Sequence, residues 1–234
     1  MTEKPILFSS PMVRAILNDT KTQTRRIMKP QPPEYWCPNV GIYAPSLVCR
    51  RTECVFPGPE VFGASDENFD IKSPYGKPGD FLWVKETFRV HGGEEYVYQK
   101  NPSSVIYKAS AELQHPCYGI GECWKPSIYM PRWASRITLR IKNIRVERLQ
   151  DISEKDAWAE GCSKGDPADN GGFFPADEFV PQKGKRWEYV AMWDSPIDWY
   201  ADLWDGLNAK RGFGWDTNPW VWVVEFKREG KNND

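Results

Sequence analysis

The segment DTKTQTRR, residues 19–26, combines an amine, three hydroxyl groups and two guanidinium groups in a short stretch. Lys21 and Thr24 could begin the hydrolysis of an amide, because a lysine amine can take the proton of a threonine hydroxyl and activate it as a nucleophile. Arg25 and Arg26 follow directly and could hold a phosphate or a carbonyl oxygen. The same composition also suits a solvated strand, since threonine favours strands. The segment therefore predicts a catalytic site, an anion-binding turn or a polar strand.

Lys21 acts as a base at neutral pH only if its surroundings lower its pKa, because a lysine in water has a pKa of about 10.4. The neighbouring charges of Arg25 and Arg26 favour a lower pKa, whereas the C-terminus of a preceding helix favours a higher one. The sequence leaves this balance open.

The apolar pattern places this segment between a helix and a strand. Residues 11–18 form a predicted amphipathic helix, and alternation over 22–28 predicts a strand that ends before Pro30. Lys21 then lies at a surface-exposed turn, whose bend is needed for Lys21 and Thr24 to face one cleft. Other predicted strands are 81–90, 96–99, 104–108, 136–147 and 219–227, and other predicted helices are 153–160 and 195–212.

Two later motifs give local detail. The alternation of RITLRIKNIRVERL slips by one residue near Lys142 or Asn143, which predicts a β-bulge. Ser153, with Asp156 three residues later, predicts a capping box at the start of the helix that carries Glu160. The glycine after Glu160 is the expected helix stop.

Two stretches, at about 30–78 and 162–185, lack such periodicity and are predicted to be irregular insertions. The remaining order of helix, strands, helix and final strand predicts an α+β fold, namely a small and mostly antiparallel barrel with flanking helices. We expect one domain over residues 1–234 that contains both insertions.

Composition limits the classes of function. Lys and Arg total 31 against 32 Asp and Glu, so a nucleic-acid contact would need a local patch rather than a general positive field. No apolar stretch has the length of a membrane span, and the first residues lack a secretory signal, so we expect a cytoplasmic protein without membrane contact. Six cysteines without a Cys-x-x-Cys pair, beside two histidines, predict neither a metal site nor another cofactor. The oligomeric state is not predicted.

Four motifs together resemble the ASCH domain family, a group of PUA-like β-barrels, and most closely its long members from phages and prophages. They are NDTKTQTRR, KPGDFLWVKE, ERLQDISEKDAWAEG and WVVEFKR. The family signature is Gly-x-Lys followed five residues later by Arg, which Lys21 and Arg26 match, while Asp19 replaces the glycine. Aspartate is among the few residues that tolerate the left-handed conformation of such a turn.

The resemblance implies an activity as well as a fold. Small bacterial members of the family are N4-acetylcytidine amidohydrolases, and their catalytic residues correspond to Lys21, Thr24 and Glu160. The chain is therefore expected to cleave N4-acylated cytidine nucleosides to cytidine and a carboxylate. Lys21 would be the general base, Thr24 the nucleophile or a water-positioning hydroxyl, and Glu160 the acid or an orienting carboxylate.

The remaining predicted site residues contact the substrate: Arg25, Arg26, Trp83 and Glu86, with Trp83 as a surface on which a base could stack. The alternative is an RNA-binding or RNA-processing module, because PUA-like barrels often bind RNA. The basic run KPSIYMPRWASR, residues 125–136, is then the best candidate for contacts with phosphates.

Overall fold

A computed structural model of the chain describes residues 1–49, 51, 53–90, 100–110, 124–164, 173–175 and 193–230. Its helices are α1 (Ser10–Leu17), α2 (Glu154–Ala159) and α3 (Pro196–Asn208). Its strands are β1 (Glu3–Leu7), β2 (Gln23–Ile27), β3 (Asn39–Tyr43), β4 (Ser46–Val48), β5 (Val55–Pro57), β6 (Val61–Ser65), β7 (Asp70–Lys72), β8 (Phe81–Lys85), β9 (Phe88–Val90), β10 (Val105–Tyr107), β11 (Thr138–Arg148), β12 (Cys162–Lys164), β13 (Phe173–Pro175) and β14 (Trp220–Arg228).

The main sheet has five strands in the order β1-β8-β11-β14-β2. All neighbours are antiparallel except β1 and β8, which are parallel. The four strands predicted near 22–28, 81–90, 136–147 and 219–227 thus join one sheet, and the mixed α+β, mostly antiparallel class is confirmed. The predicted bulge is also confirmed, because the pairing of β11 with β14 shifts register between Ile141 and Asn143.

Several boundaries differ from prediction. The strand predicted over 81–90 is interrupted, and its second half, β9, pairs with β10 in a separate two-stranded sheet. Strand β1 was not predicted, because it is short and holds a proline. The stretch 30–78 is not simply irregular, since it contains the sheet β3-β6-β7 and the hairpin β4-β5. Of the second stretch, β12 and β13 are described, whereas the strand predicted at 96–99 lies outside the described residues.

Alternate residues of β14 face two different apolar cores. Trp222 and Val224 belong to the first core, which α1 covers, and Val221 and Val223 belong to the second core, which α2 and α3 cover. The first core includes Val13, Ile16, Leu82, Leu139 and Ile141, and the second includes Leu149, Ala157, Trp199 and Trp204. Strand β14 is therefore buried on both faces.

The register of β2 distributes its side chains between these cores, because opposite residues in antiparallel strands share a face. Thr24 is opposite Val224 and Arg26 is opposite Trp222, so both face the first core, whereas Arg25 lies on the face of the second.

The main sheet is not closed by backbone hydrogen bonds within the described residues, since β1 and β2 are its two edges. One side chain links these edges: Arg26 Nη2 donates a hydrogen bond of 2.6 Å to the carbonyl oxygen of Leu7. The sheet therefore curls until its edges approach each other. No helix among the described residues is long and apolar enough to cross a membrane.

Candidate functional site

The turn after α1 directs Lys21 toward the end of α2. Asp19 adopts the left-handed conformation, with φ of +57°, which aspartate tolerates better than most residues. The backbone N–H groups of Thr20 and Lys21 both donate to the carbonyl of Ala15, at 2.9 and 3.1 Å. Lys21 then pairs with Glu160 in an isolated antiparallel bridge. Two segments 139 residues apart are therefore paired through their backbones as well as through their side chains.

The end of α2 is shaped to fit this contact. The predicted capping box of Ser153 and Asp156 is present at its start, and Glu160 is its C-cap residue. Gly161 follows with φ of +102°, and a Cβ atom there would lie 3.2 Å from the Cβ of Ala15 and 3.5 Å from that of Lys21. Glycine is therefore required both for the backbone conformation and for the close approach of the two helices.

Lys21 and Glu160 form a buried ion pair. Lys21 Nζ lies 2.6 Å from Glu160 Oε2 and also donates to the Glu160 carbonyl oxygen at 2.8 Å. Each residue is only 3% exposed, so the expectation that Lys21 lies at a surface-exposed turn is wrong. The reason is the bridge with Glu160, which draws the turn beneath the end of α2.

Burial also decides the direction in which the pKa of Lys21 shifts. Desolvation lowers the pKa of Lys21 below its ordinary value of 10.5, and the charges of Arg26 and Arg25 lower it further. The charge of Glu160 and its hydrogen bond oppose this shift without reversing it. Lys21 therefore loses its proton more readily than an ordinary lysine, as a general base must.

Arg25 lies behind Glu160 and is fully buried at its side chain. Its guanidinium contacts three carboxylates: Glu160 Oε1 at 3.4 Å, Glu147 Oε2 at 3.0 Å and Asp156 Oδ2 at 3.2 Å. Its Nε has no hydrogen-bond partner among the described residues. These contacts make Arg25 a residue that orients Glu160, with one carboxylate oxygen facing Arg25 and the other facing Lys21.

The charges continue across the sheet through Arg145, which pairs with Glu147 and Glu225 and lies 2.9 Å from Asp156 Oδ1. We call the seven residues Lys21, Arg25, Arg145, Glu147, Asp156, Glu160 and Glu225 the ion network. Burial alone would raise the pKa of Asp156, but the hydrogen bond from Ser153 and the charges of Arg25 and Arg145 lower it to about 2.

The low pKa of Asp156 predicts a loss of stability in acid. A carboxylate whose folded pKa lies below its unfolded value, about 3.9, stabilises the fold above that value and loses this contribution as the pH falls through the folded pKa. The free energy of unfolding should therefore fall between pH about 4 and pH about 2. Denaturant unfolding across this range should show a smaller fall in Asp156→Asn, whereas Asp202→Asn, an exposed change on α3, should behave as the unaltered protein. An unchanged pH dependence in Asp156→Asn would contradict the prediction.

Thr24 is 3% exposed and lies three residues from Lys21 on the edge strand β2. Its hydroxyl makes no hydrogen bond among the described residues. It is also not among the fully buried side-chain atoms that lack a hydrogen-bond partner. The structure therefore brings Lys21 and Glu160 into contact, and it leaves the Thr24 hydroxyl without a structural hydrogen bond at the same end of the sheet.

Arg26 carries a charge that no carboxylate of the described residues neutralises. Its Nη2 binds the Leu7 carbonyl, its Nε is buried without a partner, and its Cζ lies 5.1 Å from the centre of the Phe8 ring. Lys21 Nζ lies 5.9 Å from the same ring. Lys21 and Arg26 therefore both lie near the Phe8 ring at one end of the sheet. Of these two cations, only Lys21 is paired with a carboxylate of the described residues.

The other two predicted residues are held away from the Lys21–Glu160 pair. Trp83 lies between the first-core residues of β8 and so faces the opposite side of the sheet, where Lys85 Nζ and Arg132 Cζ lie 5.5 and 5.9 Å from its ring. Glu86 is 1% exposed, and both of its oxygens accept hydrogen bonds from Arg136, at 2.9 and 3.0 Å. These contacts anchor the end of β8.

Tyr200 belongs to the site but was not singled out in the sequence. It comes from α3, is 3% exposed, and has its ring centre 5.9 Å from Arg25 Cζ. In the sequence it stands among the aromatic residues of an amphipathic helix, so its spacing predicts only a place in the core.

Comparisons of the chain with protein-family models, with curated proteins and with solved structures find no match. Within the described part of the chain, no group of three or more His, Cys, Asp or Glu side chains is placed to hold a metal ion. Cys117 and Cys123 lie outside that part.

Proposed function

We propose that this chain is an amidohydrolase that cleaves the N4-acyl amide of N4-acylcytidine nucleosides, giving cytidine and a carboxylate. The observation that supports it is the buried pair of Lys21 Nζ and Glu160 Oε2, 2.6 Å apart. The resemblance of the surrounding motifs to ASCH-domain amidohydrolases supplies the reaction, and the geometry supplies a base and an acid in contact.

A buried ion pair is weak as an explanation of stability alone, because removing two charges from water commonly costs as much as their attraction returns. Ionisable groups with shifted pKa values are, however, characteristic of catalytic sites. A strand end and a helix end could be joined more simply by apolar side chains. The Lys21–Glu160 pair is therefore better explained by chemistry than by packing.

In the proposed reaction, one proton moves within this pair. Burial lowers the pKa of Lys21, so the reaction can begin with Lys21 as an amine in contact with the Glu160 carboxyl group. The amine takes the proton of the attacking hydroxyl, the oxygen bonds to the acyl carbon, and the bond from that carbon to N4 breaks. Glu160, whose Oε2 lies 2.6 Å from the lysine amine, passes this proton on to N4, and cytidine leaves.

Thr24 has two possible positions in this scheme. As the nucleophile, its hydroxyl forms an ester with the acyl group, which a water molecule then hydrolyses with Lys21 as the base. As a positioning group, it holds the attacking water. In either case Arg26, whose charge lacks an acidic partner in the described chain, is suited to bind the acyl oxygen as negative charge develops there.

RNA binding is the alternative function, but two of the three cations in the basic run 125–136 are already paired with carboxylates. Within that run, Arg132 is paired with Glu3 at 2.6 Å and Arg136 with Glu86 at 2.9 Å. Cations held by carboxylates are poor partners for phosphates, since binding would leave those acids unpaired. We therefore favour the small nucleoside as the substrate.

The fold proposed with this function is a PUA-like barrel. The curled five-stranded sheet, whose edges are linked by Arg26 and Leu7, supports that assignment, with α1 and α2 at the end that holds Lys21 and Glu160.

The assay for this function follows the loss of N4-acetylcytidine absorbance in the ultraviolet. The unaltered protein should hydrolyse the nucleoside, and kcat/KM should rise with pH around a midpoint below pH 10.5, because burial lowers the pKa of the essential lysine. A parallel measurement of labelled RNA binding at two salt concentrations tests the alternative. Absence of hydrolysis together with salt-sensitive RNA binding would reject the amidohydrolase in favour of the RNA-binding module.

A further inference from the structure

A cleft of about 480 Å³ lies between α2, the start of β2 and the strands β11 and β14. Thr22 and Ala159 line this cleft, and the Thr22 backbone N–H donates to the Ala159 carbonyl at 2.8 Å. Their next neighbours in the chain are Lys21 and Glu160, which form the adjacent backbone bridge. The cleft therefore begins one residue away from each member of the proposed catalytic pair.

Phe226 of β14 provides a second connection between the cleft and the proposed site. It lines the cleft, and its ring centre lies 6.2 Å from that of Phe8. Phe8 is the ring near which Lys21 and Arg26 both lie, at 5.9 and 5.1 Å. The cleft and the catalytic pair are therefore joined through the side chains of β14 as well as through the backbone of β2.

The charged residues that line the cleft are three cations and two carboxylates. Arg145 engages both carboxylates, since it pairs with Glu225 and lies 2.9 Å from Asp156 Oδ1. Lys142 and Lys155 are exposed, and neither makes an ion pair with another residue of the described chain. The cleft therefore presents two positive charges that no carboxylate in the described part of the chain contacts.

The β-bulge in β11 explains why Lys142 lines the cleft. The register with β14 passes from Ile141 opposite Phe226 to Asn143 opposite Glu225, so Lys142 is the extra residue of the bulge. Bulges change the direction of a side chain and are common beside active sites. The bulge therefore gives this lysine a position that regular pairing with β14 would not give it.

Lys155 and Thr22 complete the polar lining of the cleft. Lys155 lies in the first turn of α2, and Thr22 directly precedes β2. Thr22 is exposed, and its hydroxyl makes no hydrogen bond within the described residues. Two ammonium groups and one hydroxyl, from three separate elements, thus line one cleft. Such groups suit a phosphate, because an ammonium binds it as a point charge and a hydroxyl donates to its oxygens.

We propose that this cleft binds the phosphate group of an N4-acylcytidine mononucleotide through Lys142, Lys155 and Thr22. This inference rests on the proposed function and extends the substrate from the nucleoside to its monophosphate. In a nucleotide the base and the ribose separate the phosphate from N4. A phosphate site is therefore expected beside the catalytic pair rather than within it, since N4 must lie at Glu160.

Rates on three substrates test this phosphate site: N4-acetylcytidine, its 5′-monophosphate and its 3′-monophosphate. For the unaltered protein at low ionic strength, kcat/KM should be at least about tenfold higher for one of the monophosphates, because hydrogen bonds to charged groups contribute this much. The gain should lie mainly in KM, since a contact remote from the reacting bond binds substrate and transition state alike. It should shrink as salt is added, since both lysines are exposed.

Variants assign the preference to the two lysines. The double variant Lys142→Met, Lys155→Met should lose the preference for the monophosphate, and Lys142→Arg, Lys155→Arg should keep it, because arginine preserves both charges. Lys72→Met, which removes an exposed lysine on β7 outside the main sheet, should keep it as well. Equal kcat/KM on all three substrates in the unaltered protein, or a preference that survives in the double methionine variant, overturns the phosphate site and leaves the proposed function standing.

Two further measurements separate this inference from the other possibilities. If an RNA oligonucleotide with one N4-acetylcytidine is deacetylated faster than both mononucleotides, and the double methionine variant loses that preference, the partner is an RNA chain and the mononucleotide is rejected. If no substrate is hydrolysed, the proposed function fails and calorimetry tests the cleft by itself. The phosphate site then stands only if a cytidine monophosphate binds more tightly than cytidine to the unaltered protein and no more tightly to the double methionine variant.

Discussion

Lys21→Met should reduce the hydrolysis of N4-acetylcytidine by at least about a hundredfold, the usual loss when a general base is removed. Methionine fills most of the space of the buried lysine stem, so the change tests the amine rather than a cavity. Glu160→Gln should cause a similar loss by removing the proton donor. The double variant should lose far less than the product of the two single losses, because residues that act as one unit are not additive. Steady-state kinetics on the purified proteins measure all three.

The burial of Lys21 adds a second consequence. In Lys21→Met the Glu160 carboxylate keeps Arg25 but loses the contact at 2.6 Å, so part of the effect on activity could come through the fold. Thermal unfolding of each variant separates the loss of the amine from a loss of stability. Lys72→Met serves as the control, because Lys72 is an exposed lysine on β7, outside the main sheet. Full activity in Lys21→Met would contradict the catalytic role and favour the alternative that segment 19–26 is only a polar strand.

The sequence predicted the local features of this site because they depend on neighbouring residues. The capping box of Ser153 and Asp156 and the β-bulge near Lys142 are each decided within a few residues. The strands of the main sheet were visible for a similar reason, since their alternation is a local pattern. Short β1 lacked such a pattern, and its place is set by parallel pairing with β8, 78 positions later in the chain.

The surroundings of the site were not predictable because they come from distant segments. The sequence showed Arg25 as one of two adjacent cations, whereas the fold surrounds it with carboxylates from β11 and α2. Nor does any sequence pattern show that the turn at Lys21 is buried, since that follows from its bridge with Glu160. Tyr200 is the clearest case: its spacing in α3 predicts packing, and only the position of α3 against Arg25 brings its ring to the buried guanidinium.

Arg25→Met should lower the free energy of unfolding by about 3–5 kcal/mol, the range expected when one partner of a buried ion pair is removed. Arg25 is completely buried at its side chain and contacts Glu160, Glu147 and Asp156 within 3.4 Å. Glu147 and Asp156 keep Arg145, so the greatest loss falls on Glu160, which is left in the interior with Lys21 alone. Denaturant unfolding at pH 7 measures the change.

The same substitution should raise the pKa of Lys21, because the charge of Arg25 currently lowers it and Arg25 also shares the charge of Glu160. The rise of kcat/KM with pH should therefore move to higher pH in Arg25→Met, a shift that a purely structural loss would not produce. Arg140→Met is the matched control: its contact with Glu229 is 3.9 Å long between side chains that are each 42% exposed, and such pairs contribute at most about 1 kcal/mol. If Arg25→Met is no less stable than Arg140→Met, and its pH profile is unmoved, Arg25 neither stabilises Glu160 nor tunes Lys21. The ion network would then be incidental to the chemistry, and the case for catalysis would rest on Lys21, Thr24 and Glu160 without the residue that orients them.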